Sequence, residues 1–248
     1  MWREFSNCTE NVMESFRCIF CGCRVPVIYT QYTDEVIRME RCPKCTNVVD
    51  KYAEYDVFIV AIDLIALRIE AYRHIIYNSR EISWTRILLL SLLLNSFVSW
   101  LSEQGITGVD LANLSLTFKS DLYIHVLSNI FWCFIYSLSM FCMFFILCFS
   151  VPIQRFLRLL AIVNMSKLLT FFVLPWASSW NSGLTMEELH FVPFYPVVFS
   201  SLALLAGMQS TRALTECSLI VAFLLNFLSS AFGFIFFINS SSLFAKIS

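Results

Sequence analysis

Charge in this chain is gathered at one end. Residues 1–86 hold 11 of the 17 Lys/Arg and 12 of the 18 Asp/Glu, and the following 162 residues hold six of each. A stretch that long with so few ionised groups does not fold as an ordinary water-soluble domain, where about a quarter of residues are charged. The chain therefore divides near Trp84 into a polar head and an apolar body. The averages, 58% hydrophobic, 14% charged and a net charge of −1, combine these two parts. They exclude a disordered chain and a basic nucleic-acid binder, so no nucleic-acid partner is expected.

A membrane-spanning helix needs about 20 mostly apolar residues. Five stretches qualify, near residues 84–101, 122–149, 156–176, 191–208 and 218–239. The third is interrupted by Arg158 and Lys167 and the fourth opens with Pro193 and Pro196, so three to five spans are compatible. The expected fold class is a polytopic α-helical membrane protein, with residues 84–248 as the transmembrane bundle. Lys/Arg are many before the first span, then one, two, none, one and one. The positive-inside bias then places the N-terminus in the cytosol and the C-terminus in the lumen. Residues 1–17 contain no apolar run, so no secretory signal is expected. The sequon at Asn113 would be lumenal and the one at Asn7 cytosolic.

Lys167 lies near the middle of the third stretch, where a lysine costs roughly 2.5–3.5 kcal/mol on insertion scales. It is a candidate for lipid or partner recognition, with snorkelling or a misplaced span as the alternatives. His125, Asn129, Asn164 and Asn226 are expected to hydrogen-bond between helices.

Six of the ten cysteines fall in the first 45 residues. Four form two Cys-x2-Cys pairs, Cys18/Cys21 and Cys42/Cys45, separated by 20 residues. A two-residue spacer lets both thiolates of a pair reach one Zn²⁺ at about 2.3 Å. Gly22 permits a tight turn after the first pair, and Pro43 pre-sets the second. Residues 24–32 and 35–41 read as two strands around a turn. Residues 1–48 are therefore expected to form a cytosolic zinc ribbon with a structural Zn²⁺ held by Cys18, Cys21, Cys42 and Cys45. A reactive-thiol cluster is the alternative, and Cys8 and Cys23 are spare ligands in principle.

Residues 49–80 read as an amphipathic helical segment linking head to body. At 100° per residue, Asp56, Asp63, Glu70, His74 and Asn78 fall within an arc of about 80°. That stripe is either a wetted face or a recognition surface using Asp63, Arg73, His74 and Asn78. No nucleophile or second motif accompanies His74, so the chain is not expected to be an enzyme.

The ordered string CxxCG, CPxC, VDKYAEYD, IDL and AYRHIIYN resembles the Arv family of endoplasmic-reticulum membrane proteins associated with sterol homeostasis. Matching positions are Cys18, Cys21, Cys42, Cys45, Asp50, Lys51, Tyr52, Glu54, Tyr55, Asp56, Asp63, Tyr72, Arg73, His74 and Asn78. The close resemblance covers residues 18–78; the body matches only in being apolar. It implies a role in sterol distribution from the endoplasmic reticulum, with effects on sphingolipid metabolism and with membrane lipids, sterol above all, as ligands. It also implies an alternative: an accessory subunit of the N-acetylglucosaminyl-phosphatidylinositol transferase of glycosylphosphatidylinositol (GPI)-anchor synthesis.

Overall fold

The computed structural model describes residues 16–33, 36–79, 82–104, 114–168 and 194–244. Asn7, Cys8, Asn113 and the loop at 177–190 lie outside them. The chain is mostly helical and folds as two compact units, Met1–Arg80 and Glu81–Ser248.

The first unit begins with two small antiparallel sheets. Strand β1 (Phe16–Arg17) pairs with β2 (Arg24–Val25), and β3 (Tyr29–Thr33) pairs with β4 (Val36–Met39). The single strand expected over 24–32 is thus two strands. Pro26, lacking a backbone donor, falls in the break between them. Backbone bonds from Glu40 N–H to the Ile28 carbonyl, and from Val49 N–H to the Glu40 carbonyl, tie the strands to the chain that follows. Among the described residues, the buried cluster around the cysteines is small: Cys18, Val25, Ile28, Cys42 and Val49. So little buried apolar surface folds a domain only with a metal or a packed neighbouring segment.

That neighbour is the segment after Val49. A 3-10 turn (Lys51–Ala53) is capped by Asp50, whose Oδ1 accepts the Tyr52 N–H at 3.0 Å. Helix α1 spans Val57–Ile65, and α2 (Ile69–Arg73) runs into a π-helical turn at His74–Asn78. The single linking helix is therefore broken. Leu67 adopts φ 57° and Arg68 is extended, which reorients the chain between α1 and α2. The π turn adds a second departure from 100° per residue. The polar residues consequently do not share one face of one helix.

The second unit contains α3 (Trp84–Gln104), α4 (Leu114–Ile146), α5 (Ile153–Lys167), α6 (Phe194–Thr215) and α7 (Leu219–Phe244). They pack as a closed ring: α3 on α4 and α5, α5 on α6, α6 on α7, and α7 back on α4. Helix α5 closes at Lys167 with Leu168 as its cap, which puts Lys167 at a helix end; residues 169–176 of the third expected stretch lie outside the described residues. The loop expected at 209–217 is helical as far as Thr215. Leu122–Ile146 is the one stretch among the described residues long and apolar enough to cross a membrane; Trp84–Trp100 and Leu219–Gly233 are shorter apolar runs.

The exterior of this unit is apolar, unlike that of a water-soluble bundle, and its largely apolar interior also holds polar side chains. Ser91, Asn95, Ser96, Asn164, Ser210, Thr211, Asn226 and Ser229 are buried. Leu89, Leu93, Phe134, Phe145, Ile220 and Phe232 face outward. Asn226 joins three helices, accepting from the Tyr136 hydroxyl of α4 at 2.8 Å and donating to Thr211 Oγ1 of α6 at 2.7 Å. Gly207 makes this approach fit, because a Cβ there would lie 2.5 Å from Asn226 Oδ1. Asn164 bridges likewise: its carbonyl accepts from Asn95 Nδ2 of α3 at 2.8 Å, and its Nδ2 lies 3.6 Å from Cys133 Sγ of α4. Asn129, by contrast, bonds the His125 carbonyl of its own helix.

Candidate metal centre

The two Cys-x2-Cys turns have the same backbone construction. Cys18 N–H donates to the Cys23 carbonyl and Cys42 N–H to the Asn47 carbonyl; Gly22 N–H donates to the Cys18 carbonyl and Thr46 N–H to the Cys42 carbonyl. Gly22 and Thr46 occupy equivalent positions and both take positive φ, 74° and 61°. Glycine adopts that region freely, whereas threonine does so against its β-branch.

These turns bring four sulfurs together. The Sγ atoms of Cys18, Cys21, Cys42 and Cys45 all lie within 4.8 Å of one another. Across the turns, Cys18 and Cys45 are 3.6 Å apart and Cys21 and Cys42 are 3.5 Å apart. Tetrahedral Zn–S bonds of about 2.3 Å would put sulfurs about 3.8 Å apart. The set therefore fits a four-thiolate metal site with no open position, and none of the described cysteines is in a disulfide. Cys23 turns away, its thiol 3.6 Å from the Arg24 carbonyl.

Without a cation, four thiolates here would be costly. Burial pushes the Cys18 thiol up to about 12, with the neighbouring Cys45 and Cys21 thiols adding to the rise, and burial raises Cys21 too. Burial also opposes ionisation of Cys42. Backbone N–H groups of Cys45 and Lys44, with the Cys21 and Cys45 thiols, outweigh it and hold Cys42 near 7. A bound divalent cation would displace the remaining protons.

Behind the first turn lies a polar network. Arg73 Nη1 donates to the carbonyls of Ile19 and Phe20, the two spacer residues, at 2.9 and 2.7 Å. Asn78 clamps Arg17, accepting its N–H at 3.0 Å and donating to its carbonyl at 2.9 Å, and also donates to Asp50 Oδ2 at 2.6 Å. His74 Nδ1 meets the same carboxylate oxygen at 2.7 Å. Asp50 is fully buried and is the hub of this arrangement. Asp63 is buried separately, accepting from the Tyr52 hydroxyl at 2.6 Å with Arg68 Nε at 3.4 Å. Burial, and then that bond, raise the Tyr52 phenol above its usual value.

The residues singled out as a recognition stripe therefore divide. Arg73, His74 and Asn78 gather behind the first cysteine turn, and Asp63 braces α1 against Tyr52. Lys167, in the second unit, sits over the Trp132 ring with Nζ 3.0 Å from its centroid. Asp50 was missed as a hub, although an Asp directly before a short helical turn is a capping signal.

The Arv1-like family model matches residues 17–238, which covers both units. The chain belongs to the Arv1-like family. Protein ARV 2 of Arabidopsis thaliana is 32% identical over 124 residues, covering 46% of this chain and 54% of that protein. Protein ARV1 of Eremothecium gossypii is 44% identical over 69 residues, covering 28% and 23%. Protein ARV1 of Homo sapiens is 33% identical over 89 residues, covering 36% and 33%. The matched part thus spans about a quarter to a half of these Arv1-like relatives. No solved structure matches the chain.

Proposed function

We propose that this Arv1-like chain is a multi-pass endoplasmic-reticulum membrane protein of sterol homeostasis, acting in sterol distribution with effects on sphingolipid metabolism. The apolar exterior of the second unit carries the membrane part of this reading. Outward Leu and Phe suit hydrocarbon, while buried Asn, Ser and Thr find partners between helices. Family membership supports the sterol part. The four cysteines would hold one structural Zn²⁺, which supplies folding energy to the head. Cys18, Cys21, Cys42 and Cys45 fill its coordination and leave no place for a substrate. The head faces the cytosol and the C-terminus the lumen on this reading. We propose no catalytic role for His74; its bond to Asp50, over which Asn78 also closes, supports a structural part for it.

The test is transfer of labelled sterol between liposomes by the purified full chain. Acceleration over protein-free liposomes supports the reading. No transfer, with co-purification of N-acetylglucosaminyl-phosphatidylinositol transferase and slower transferase turnover on loss of the chain, replaces it with the accessory-subunit reading. For sidedness, glycosylation acceptors placed in 105–113 and 177–190 should be modified and one at 216–218 should not. Modification at 216–218 contradicts the five-span arrangement.

A further inference from the structure

Helix α1 is built the wrong way round for a helix on a water-soluble unit. Its inward side carries Val60 and the carboxylate of Asp63. Its outward side carries Val57, Phe58, Ile62 and Ile65, with side chains 77%, 82%, 64% and 55% exposed. With Ala61, also exposed, these residues form one strip of roughly 140° on the helix wheel. Such a strip is too wide and too continuous to be scattered surface hydrophobics.

We propose that this face of α1 lies in the surface of a phospholipid bilayer, as an in-plane anchor of the zinc-ribbon unit. The proposal rests on the membrane reading of the second unit. Two observations select a bilayer over a protein partner. The strip contains only Val, Phe, Ala and Ile, with no hydrogen-bonding group, Tyr, Trp or Arg of the kind that fixes a protein partner's register. In addition, only 18 residues separate Ile65 from Trp84, where the first apolar helix of the second unit starts. Such a tether holds α1 at high effective concentration near the membrane that α3 enters. Charge does not drive the contact. Glu54 and Asp56 at the start of α1 are exposed, as is Arg68 beyond its end, so a zwitterionic surface suffices.

This geometry gives the buried polar side of α1 a second role. Asp63, held by Tyr52 and Arg68, fixes the rotation of the helix so that the apolar strip faces away from the ribbon. The zinc site would then be carried close to the membrane surface at a set orientation.

The test uses the full chain reconstituted in phosphatidylcholine vesicles, with the photoreactive residue p-benzoylphenylalanine placed singly at position 58, 44 or 134. Lys44 is exposed on the ribbon, and Phe134 is exposed on α4. After illumination, mass spectrometry should find phospholipid adducts at 58 and 134 and none at 44. Adducts at 134 alone overturn the anchor while leaving the membrane reading intact. A peptide cross-link from 58 to residues 84–244, or to a second copy, also overturns it. Absence of lipid adducts at both 58 and 134 defeats the membrane reading and the anchor with it. Phe58→Asp together with Ile62→Asp gives an independent check. Both positions are exposed, so the zinc content should be unchanged, while protease access to residues 57–65 in vesicles should rise severalfold. Unchanged access overturns the proposal.

Discussion

Truncating Asn78 to alanine removes three hydrogen bonds in one step: two to the backbone of Arg17 and one to the carboxylate of Asp50. Asn78 is 7% exposed, so water does not replace these partners freely. A neutral hydrogen bond contributes about 0.5–1.5 kcal/mol net, and one to a charged group about 1.5–3. Relaxation of the Arg17 backbone returns part of the loss, so about 3 kcal/mol is expected. If the ribbon folds only with its metal, that loss appears in the apparent zinc affinity as a weakening on the order of 100-fold. The assay is competition with a chromophoric chelator on the full chain in detergent, with hydrogen exchange of residues 16–25 as a second readout. Glu54→Gln, an exposed change, should alter neither. Zinc affinity within about twofold of wild type, with unchanged exchange at 16–25, would refute the claim that α2 and its π turn support the cysteine turns.

Other perturbations have defined outcomes. Cys18→Ser or Cys42→Ser should reduce bound zinc from one per chain to none; retained zinc would point to Cys23 as a substitute ligand. Zinc binding should weaken as pH falls, because Cys18 and Cys21, raised by burial, must lose protons to bind, and acid favours their protonated forms. A pH-independent affinity measured by chelator competition would contradict this. Thr46→Gly should stabilise the zinc-loaded head by about 1 kcal/mol, read as a higher unfolding temperature, because it relieves a β-branched residue at φ 61°. Gly207→Ala should lower the thermal stability of the detergent-solubilised chain by about 1–3 kcal/mol, since its Cβ would sit 2.5 Å from Asn226 Oδ1. No loss there would mean that α6 and α7 pack more loosely than described.

The cysteine cluster was legible because chelate spacing is local: two residues between ligands determine the turn whatever surrounds it. Helices of the apolar body overlap the stretches expected at 84–101, 122–149, 191–208 and 218–239, because composition marks an apolar helix, but their ends were not legible: α6 runs on to Thr215. The network around Asp50 was not. A helical wheel assumes one uninterrupted helix, and Leu67 at φ 57° breaks it. The wheel also cannot say which side faces inward. In α1 the carboxylate turns in and the aliphatic residues turn out, the reverse of the usual assignment. The bridges at Asn95, Tyr136 and Thr211 were missed because a Ser, Thr or Asn on an apolar helix has no partner visible in sequence. Gly207 carries meaning only once Asn226 is known to stand opposite it.

The central proposal is that this Arv1-like chain acts in sterol distribution. Its most direct test is quantitative lipid and protein analysis of the full chain extracted with its surrounding membrane in native nanodiscs. The account predicts sterol enriched over the bulk membrane ratio, with the enrichment lost on disrupting the α4–α6–α7 junction at Asn226. Sterol at the bulk ratio, with transferase subunits present in stoichiometric amount, would contradict it.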